Sequence, residues 1–164
     1  MYGHILLTLD GSALARSAIP HAAKVAGPES EIAVLEVIPT ERELAVQLSG
    51  SLFEIAEPRG ATEQHVRNAH FIRRQEAERH VREAAEALRA LGAPSVRSLV
   101  AEGLPGNTIL DQAGQLGAEA IVMATRGHTG LGREVLGSVA EYVLRHAGPR
   151  AVVLVGPLAP PLNG

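Results

Sequence analysis

Short aliphatic runs recur from one end of the chain to the other, at residues 4–9, 31–38, 96–100, 120–123 and 151–155, separated by longer stretches of helical spacing. That alternation is the pattern of a parallel sheet covered by helices. In the second run Ala33, Leu35 and Val37 face one way and Ile32, Val34 and Ile38 the other, so both faces are apolar. Burial on both sides follows, as parallel strands require. The fold class expected is α/β, a single doubly wound, Rossmann-like domain with a five-stranded parallel sheet and helices on both faces. Ligands of such sheets sit at the carboxyl ends of the strands, where the winding reverses.

The connecting segments carry helix signals of unequal strength. Ser12 can cap a helix reaching about residue 26, where Gly27-Pro28 stops it, and Pro20 inside it removes a backbone donor at a typical cost of about 3 kcal/mol, which predicts a kink. Residues 39–60 form a poorly periodic insertion that contains Leu44, Val46, Leu48, Leu52, Phe53 and Ile55, too apolar for a plain linker. From about residue 62 to 91 runs a long, charge-rich helix with Ala77, Val81, Ala84, Ala85, Leu88 and Leu91 at helical spacing, ended by Gly92 and Pro94. Asn107 is read as the cap of a helix through about residue 115, and a short helix spans 139–146. The expected organisation is one domain over 1–156, with a variable insertion at about 39–72 and a flexible tail at 157–164.

A chain of 164 residues can bury one sizeable core without disulfides or a structural metal. It has no cysteine, hence no thiol nucleophile, thiolate metal site or disulfide framework. Two Tyr, two Phe and no Trp, with a formal net charge of −3, supply neither stacking platforms nor a general attraction to phosphate backbones or anionic membranes. No nucleic-acid or membrane partner is expected. The start of the chain lacks the basic residues and long apolar core of a signal peptide, and no apolar run approaches the ~20 residues that cross a bilayer, so a cytoplasmic protein is the expectation.

After the fourth run the sequence reads Met123-Ala124-Thr125-Arg126-Gly127-His128-Thr129-Gly130-Leu131-Gly132-Arg133-Glu134-Val135-Leu136-Gly137-Ser138-Val139. Glycine lets backbone approach a ligand closely, and the free amides of a helix start favour an anion. A phosphate cradle is one reading of this segment; a merely flexible glycine loop is the other. Ser138-Val139-Ala140-Glu141 also reads as a capping box, which accounts for Ser138 without any ligand. No Gly-Lys-Ser/Thr is present and no Gly-x-Gly-x-x-Gly follows the first strand, so neither a P-loop nor an ordinary dinucleotide fold is indicated.

This segment resembles the nucleotide-binding members of the universal stress protein family, whose pattern is Gly-x-x-Gly, nine residues, then Gly-Ser or Gly-Thr. Gly127 and Gly137 are separated by nine residues with Ser138 following, and the first glycine of the pattern falls on Ala124, a departure of one methyl group. The likeness extends to Leu9-Asp10-Gly11-Ser12 after the first strand, to residues 103–107 after the third and to 147–155 at the end, and passes over only the 39–72 region. It implies the adenine nucleotide alpha hydrolase-like variant of the fold and a set of roles. Leu9 and Asp10 would lie against the nucleoside, Val37 would lend backbone hydrogen bonds to adenine, and Gly103 with Pro105 would form another wall. Met123 and Ala124 would floor the site. The phosphates of ATP would meet amides of Gly127, Gly137, Ser138 and Val139 and the Ser138 hydroxyl, with Arg126 or His128 as counter-charges and Arg133 a weaker candidate, and Mg2+ would bridge the phosphates although no carboxylate cluster for it is visible. Each residue also has a plain structural reading: a turn for Asp10, Gly103 and Pro105, core for Val37 and Met123.

The function implied is an ATP-binding stress-response or regulatory module. Two alternatives stand beside it. One is a slow ATP-hydrolysing enzyme, for which no general base and hence no catalytic residue can be named. The other is a family member that binds no nucleotide and works through protein contacts. The resemblance further implies a homodimer joined through the last strand, Ala151–Val155, an apolar run uncovered in sequence.

Overall fold

In the computed structural model of the protein, which describes residues 1–52, 63–125 and 136–156, the aliphatic runs become five strands of one sheet. These are β1 (Tyr2–Leu9), β2 (Ala26–Ile38), β3 (Ser95–Glu102), β4 (Ala120–Ala124) and β5 (Ala151–Val155). All pairings are parallel and the order is β3-β2-β1-β4-β5. The expected doubly wound α/β fold is therefore the observed one. The chain winds outward from β1 to β3, then returns to the other side of β1 for β4 and β5, and the winding reverses between β1 and β4.

Alternation along each strand divides the core in two. Ile5, Leu7 and Leu9 of β1 and Ile32 and Val34 of β2 pack with Ala15, Ile19, Ala22, Val81, Ala85 and Leu88 on one face. Leu6, Ala33, Leu35, Ile121 and Met123 pack with Ile109, Ala113, Ala140 and Val143 on the other. The first layer is supplied by α1 (Ala13–Arg16), α2 (Ile19–Val25) and α4 (Glu63–Ala90), the second by α5 (Pro105–Gln115) and α6 (Ser138–His146), while α3 (Glu41–Leu52) rests on α4.

Several local expectations are corrected. The single kinked helix after β1 is two helices: the chain breaks at Ser17-Ala18, and Pro20 falls in the first turn of α2, where a missing N–H costs nothing. Gly27-Pro28 does not end that helix in a loop; both lie within β2, whose first residue pairs with Tyr2 ahead of a register shift. The insertion after β2 is not irregular over residues 41–52 but forms α3. Its start is a reciprocal box in which the Glu43 amide donates to Thr40 Oγ1 at 3.2 Å and the Thr40 amide donates to Glu43 Oε2 at 2.8 Å. Leu44 of α3 is fully buried.

Leu91 lies past the end of α4 and is exposed. The cap of α5 is Leu104, not Asn107, because Pro105 with its fixed φ already occupies the first turn. The capping box expected at Ser138 does not form: Gly137 is the N-cap, Ser138 is the first helical residue, and the Glu141 side chain bonds Arg145 at 2.8 Å instead of reaching back. Phe53, Ile55 and the expected tail at 157–164 lie outside the described residues.

Candidate functional site

A cavity of about 570 Å³ opens above the carboxyl ends of β1, β2 and β4, at the reversal of winding. Its size is that of a small-molecule pocket. Each wall follows from the fold. Thr8, Leu9 and Asp10 arrive at the end of β1, Leu35 and Val37 on the cavity side of β2, Met123 and Ala124 at the end of β4, Pro105 and Ile109 from the start of α5, and residues 136–140 from the entry into α6. Leu35 and Met123 make an apolar floor and are themselves buried. Polar groups stand at the rim. Asp10 is exposed, and its Oδ1 accepts the Ser12 amide at 2.9 Å, while Ser12 Oγ accepts the Ala15 amide at 3.0 Å and caps α1.

Across the cavity from Asp10 is the start of α6. Gly137 is extended (φ −62°, ψ 146°) and offers no side chain, so the N-cap itself places no side-chain hydrogen bond on the first amides of the helix. Ser138, exposed, and Val139 follow at once and line the same space. Uncovered amides at a helix start, with a serine hydroxyl beside them, form a local anion site. An acidic residue, Glu141, also sits in that first turn, and Arg145 pairs with it.

Thus Leu9, Asp10, Val37, Met123, Ala124, Gly137, Ser138 and Val139 are brought together around one space. Ala124 is informative. Its side chain packs against the core on the α1, α2 and α4 side, in line with Ala120 and Val122, while the residue itself borders the cavity. The methyl group that departs from the glycine pattern is thus accommodated by the core. Gly103 is placed differently: it does not line the cavity. With φ +136° and its amide donating to Ile38 O at 3.0 Å, it makes the turn from β3 toward α5, and a Cβ there would come within 2.7 Å of Thr108 Oγ1. Arg126, Gly127, His128 and Arg133 lie outside the described residues.

Sequence reasoning did not single out Thr8, Leu35, Ile109, Leu136 or Ala140 as lining residues. Thr8 and Leu35 could have been found by alternation, since they share a strand face with residues already assigned. It also passed over Glu36, an acid within an apolar run that is 7% exposed and points away from the cavity. His80 of α4 lies against it, with Nδ1 at 3.0 and 3.2 Å from the two carboxylate oxygens. Burial pushes the Glu36 carboxyl above the usual carboxylate range, His80 pulls it down, and the charges of Asp10 and Glu76 add to the rise. Among the described residues no three His, Asp or Glu side chains gather as a metal site, and no helix is long and apolar enough to cross a membrane.

Comparison with known proteins agrees with this fold. A profile of the universal stress protein family matches residues 1–155. Universal stress protein MJ0531 of Methanocaldococcus jannaschii is 29% identical over 161 residues, which cover 96% of this chain and 84% of that protein. The solved structure of the hypothetical protein MJ0577 is 27% identical with a TM-score of 0.71, covering 98% of this chain and 99% of that one. A universal stress protein from Archaeoglobus fulgidus, solved in complex with dAMP, shares the fold at 18% identity and a TM-score of 0.60, covering 94% of this chain and 98% of that one.

Proposed function

The chain belongs to the universal stress protein family, and from that premise we propose that it is an ATP-binding module whose occupancy governs a stress response through conformation or partner choice. One observation carries the reading. The cavity at the winding reversal collects an apolar floor, a carboxylate and an uncovered helix start from segments far apart in sequence. Those match the three chemistries a nucleotide presents: a flat base, a ribose with hydroxyl donors, and a chain of anionic oxygens.

In this assignment Asp10 accepts hydroxyl hydrogen bonds from the ribose and the backbone at Val37 meets adenine. Met123 and Leu35 carry the flat surface of the nucleoside. The amides of Ser138 and Val139, with the Ser138 hydroxyl, hold phosphate oxygens, and Arg126, Gly127 and His128 complete the phosphate side as the family resemblance implies. Mg2+ would bridge the phosphates and take its other ligands mainly from them and from water. That an Archaeoglobus fulgidus protein of the same fold was solved in complex with dAMP supports an adenine nucleotide as the class of ligand.

The test begins with the purified protein. Denaturation followed by chromatography should release adenine nucleotide, and the emptied protein should bind ATP with Mg2+ saturably. Asp10→Ala should weaken ATP binding by about tenfold, the equivalent of one good hydrogen bond to a charged acceptor. Gly137→Val should abolish it. The backbone angles of Gly137 suit any residue, so that loss would report the phosphate cradle, not the fold. No released nucleotide and no saturable ATP binding up to about 1 mM, a free energy near −4 kcal/mol, would overturn the proposal.

A further inference from the structure

On the side of the sheet away from the cavity, Glu36 and His80 stand directly beneath the turn that carries Asp10. Glu36 lies between Leu35 and Val37 on β2, so its two neighbours line the cavity while it points into the opposite layer. His80 reaches it from α4, with Nδ1 within hydrogen-bond distance of both carboxylate oxygens and Nε2 3.4 Å from Arg79 Nη2. A neutral imidazole that donates from Nδ1 and accepts at Nε2 satisfies both neighbours at once. Gly11 is seated on this pair. Its φ is +78°, and a Cβ built on it would lie 2.8 Å from His80 Cε1, 3.2 Å from His80 Nδ1 and 3.7 Å from Glu36 Oε1. Beside the seat is a void of about 150 Å³ bordered by Gly11, Ser12, Arg16 and His80. The underside of the turn is thus open on one side and braced by the imidazole on the other.

We propose that the Glu36–His80 pair is a positioning device for the nucleotide site, which fixes the 10–12 turn, and with it the Asp10 carboxylate, from the far side of the sheet. This inference rests on the nucleotide reading of the cavity given above. Its logic is mechanical. Gly11 separates Asp10, on the cavity, from Ser12, which caps α1, so a shift of the imidazole against Gly11 is delivered to both neighbours through a single residue of backbone. It is also electrostatic. The charged and titratable groups around Glu36 are Asp10 on the turn and Glu76, Arg79, His80 and Glu83 on α4, with Arg16 of α1 across the void. Asp10 and Glu76 oppose ionisation of Glu36, and His80 favours it. Removing His80 alone leaves a buried carboxylate without its donor, which must then find water or displace the turn.

The experiment measures ATP affinity, with Mg2+, across a pH series for five proteins: wild type, His80→Leu, His80→Gln, Glu36→Gln, and the double variant Glu36→Gln with His80→Leu. His80→Leu should lose about tenfold in affinity, the size of coupling found between contacting groups. His80→Gln, which keeps a donor toward Glu36, should stay close to wild type. The double variant should recover stability, because no buried charge is left stranded, but not affinity, because the turn still lacks its brace. Should His80→Leu fail to fold, Glu36→Gln decides alone: the ratio of wild-type to Glu36→Gln affinity should fall as pH drops through the raised Glu36 pKa. A His80→Leu protein that is less stable yet binds ATP as wild type does, or a ratio that is flat with pH, overturns the positioning role and leaves the nucleotide reading intact. A wild type that binds no ATP at any pH ends both.

Discussion

Gly11 concentrates the residue-scale argument, because two separate demands meet at one position. Its φ of +78° disfavours any side chain, and a Cβ would press on the His80 ring at 2.8 Å. Gly92 makes the first demand without the second: its φ is +89°, and a Cβ added there would meet nothing within 4 Å. Gly92→Ala should therefore cost only backbone strain, about 1 kcal/mol, whereas Gly11→Ala should cost about 1–3 kcal/mol more, since a mostly buried ring held against Glu36 must also give way. Chemical denaturation of both variants checks this, and equal losses would show that the turn does not rest on His80. At this scale the sequence pointed to Asp10, Val37 and the Gly137-Ser138 pair, which border one cavity; Asp10 and Val37 were reached only through the family resemblance, since alone they read as turn and core. Glu36 could have been flagged as a lone acid in an apolar run. Its partner could not: His80 is 44 residues away, and nothing in the spacing of α4 distinguishes it from the histidines and charges of a solvated face.

Among the elements, all five strands were legible: the three central ones, buried on both faces, have little but aliphatic residues to offer, and the edge strands β3 and β5 each keep a short apolar run. The helix starts were not. At α5 and α6 a plausible capping side chain was available, but the cap falls where the backbone leaves the extended region, and Pro105 and Gly137 settle that upstream of Asn107 and one residue before Ser138. The break between α1 and α2 was masked by Pro20, which signals a kink inside a helix and equally a first turn. The helix α3 escaped because its apolar residues are weakly ordered around the axis, yet Thr40-x-x-Glu43 is a capping-box spelling, and the structure forms that box with Leu44 buried directly after it. Thr40→Ala should consequently destabilise α3 by about 1 kcal/mol. Hydrogen exchange should quicken at the amides of the 41–52 helix and leave α4 and the sheet unchanged. Uniform quickening across the molecule would instead mean that α3 is part of the global unfolding unit.

For the molecule as a whole, the two edges of the sheet are unequal. On the β3 edge, Arg97 is paired with Glu31 of β2, Ser95 and Ser98 are exposed, and α4 packs against the strand. Charged and polar residues of this kind blunt an edge against further pairing. The β5 edge, Ala151–Val155, has no polar side chain at all, and its first four residues are only half buried. Beside it α6 exposes Leu144 at 48% and Tyr142 at 37%. An apolar edge that pairs with no further strand among the described residues, next to exposed apolar helix residues, is stabilised most simply by a second copy of itself about a twofold axis, which extends the sheet and buries both patches together. The protein is therefore expected to be a homodimer by light scattering at micromolar concentration, and Val153→Lys, which sets a charge on each of the two facing edges, should return it to a monomer that stays folded by circular dichroism. A wild type that scatters as a monomer would contradict the dimer. A Val153→Lys protein that remains dimeric would move the interface away from β5.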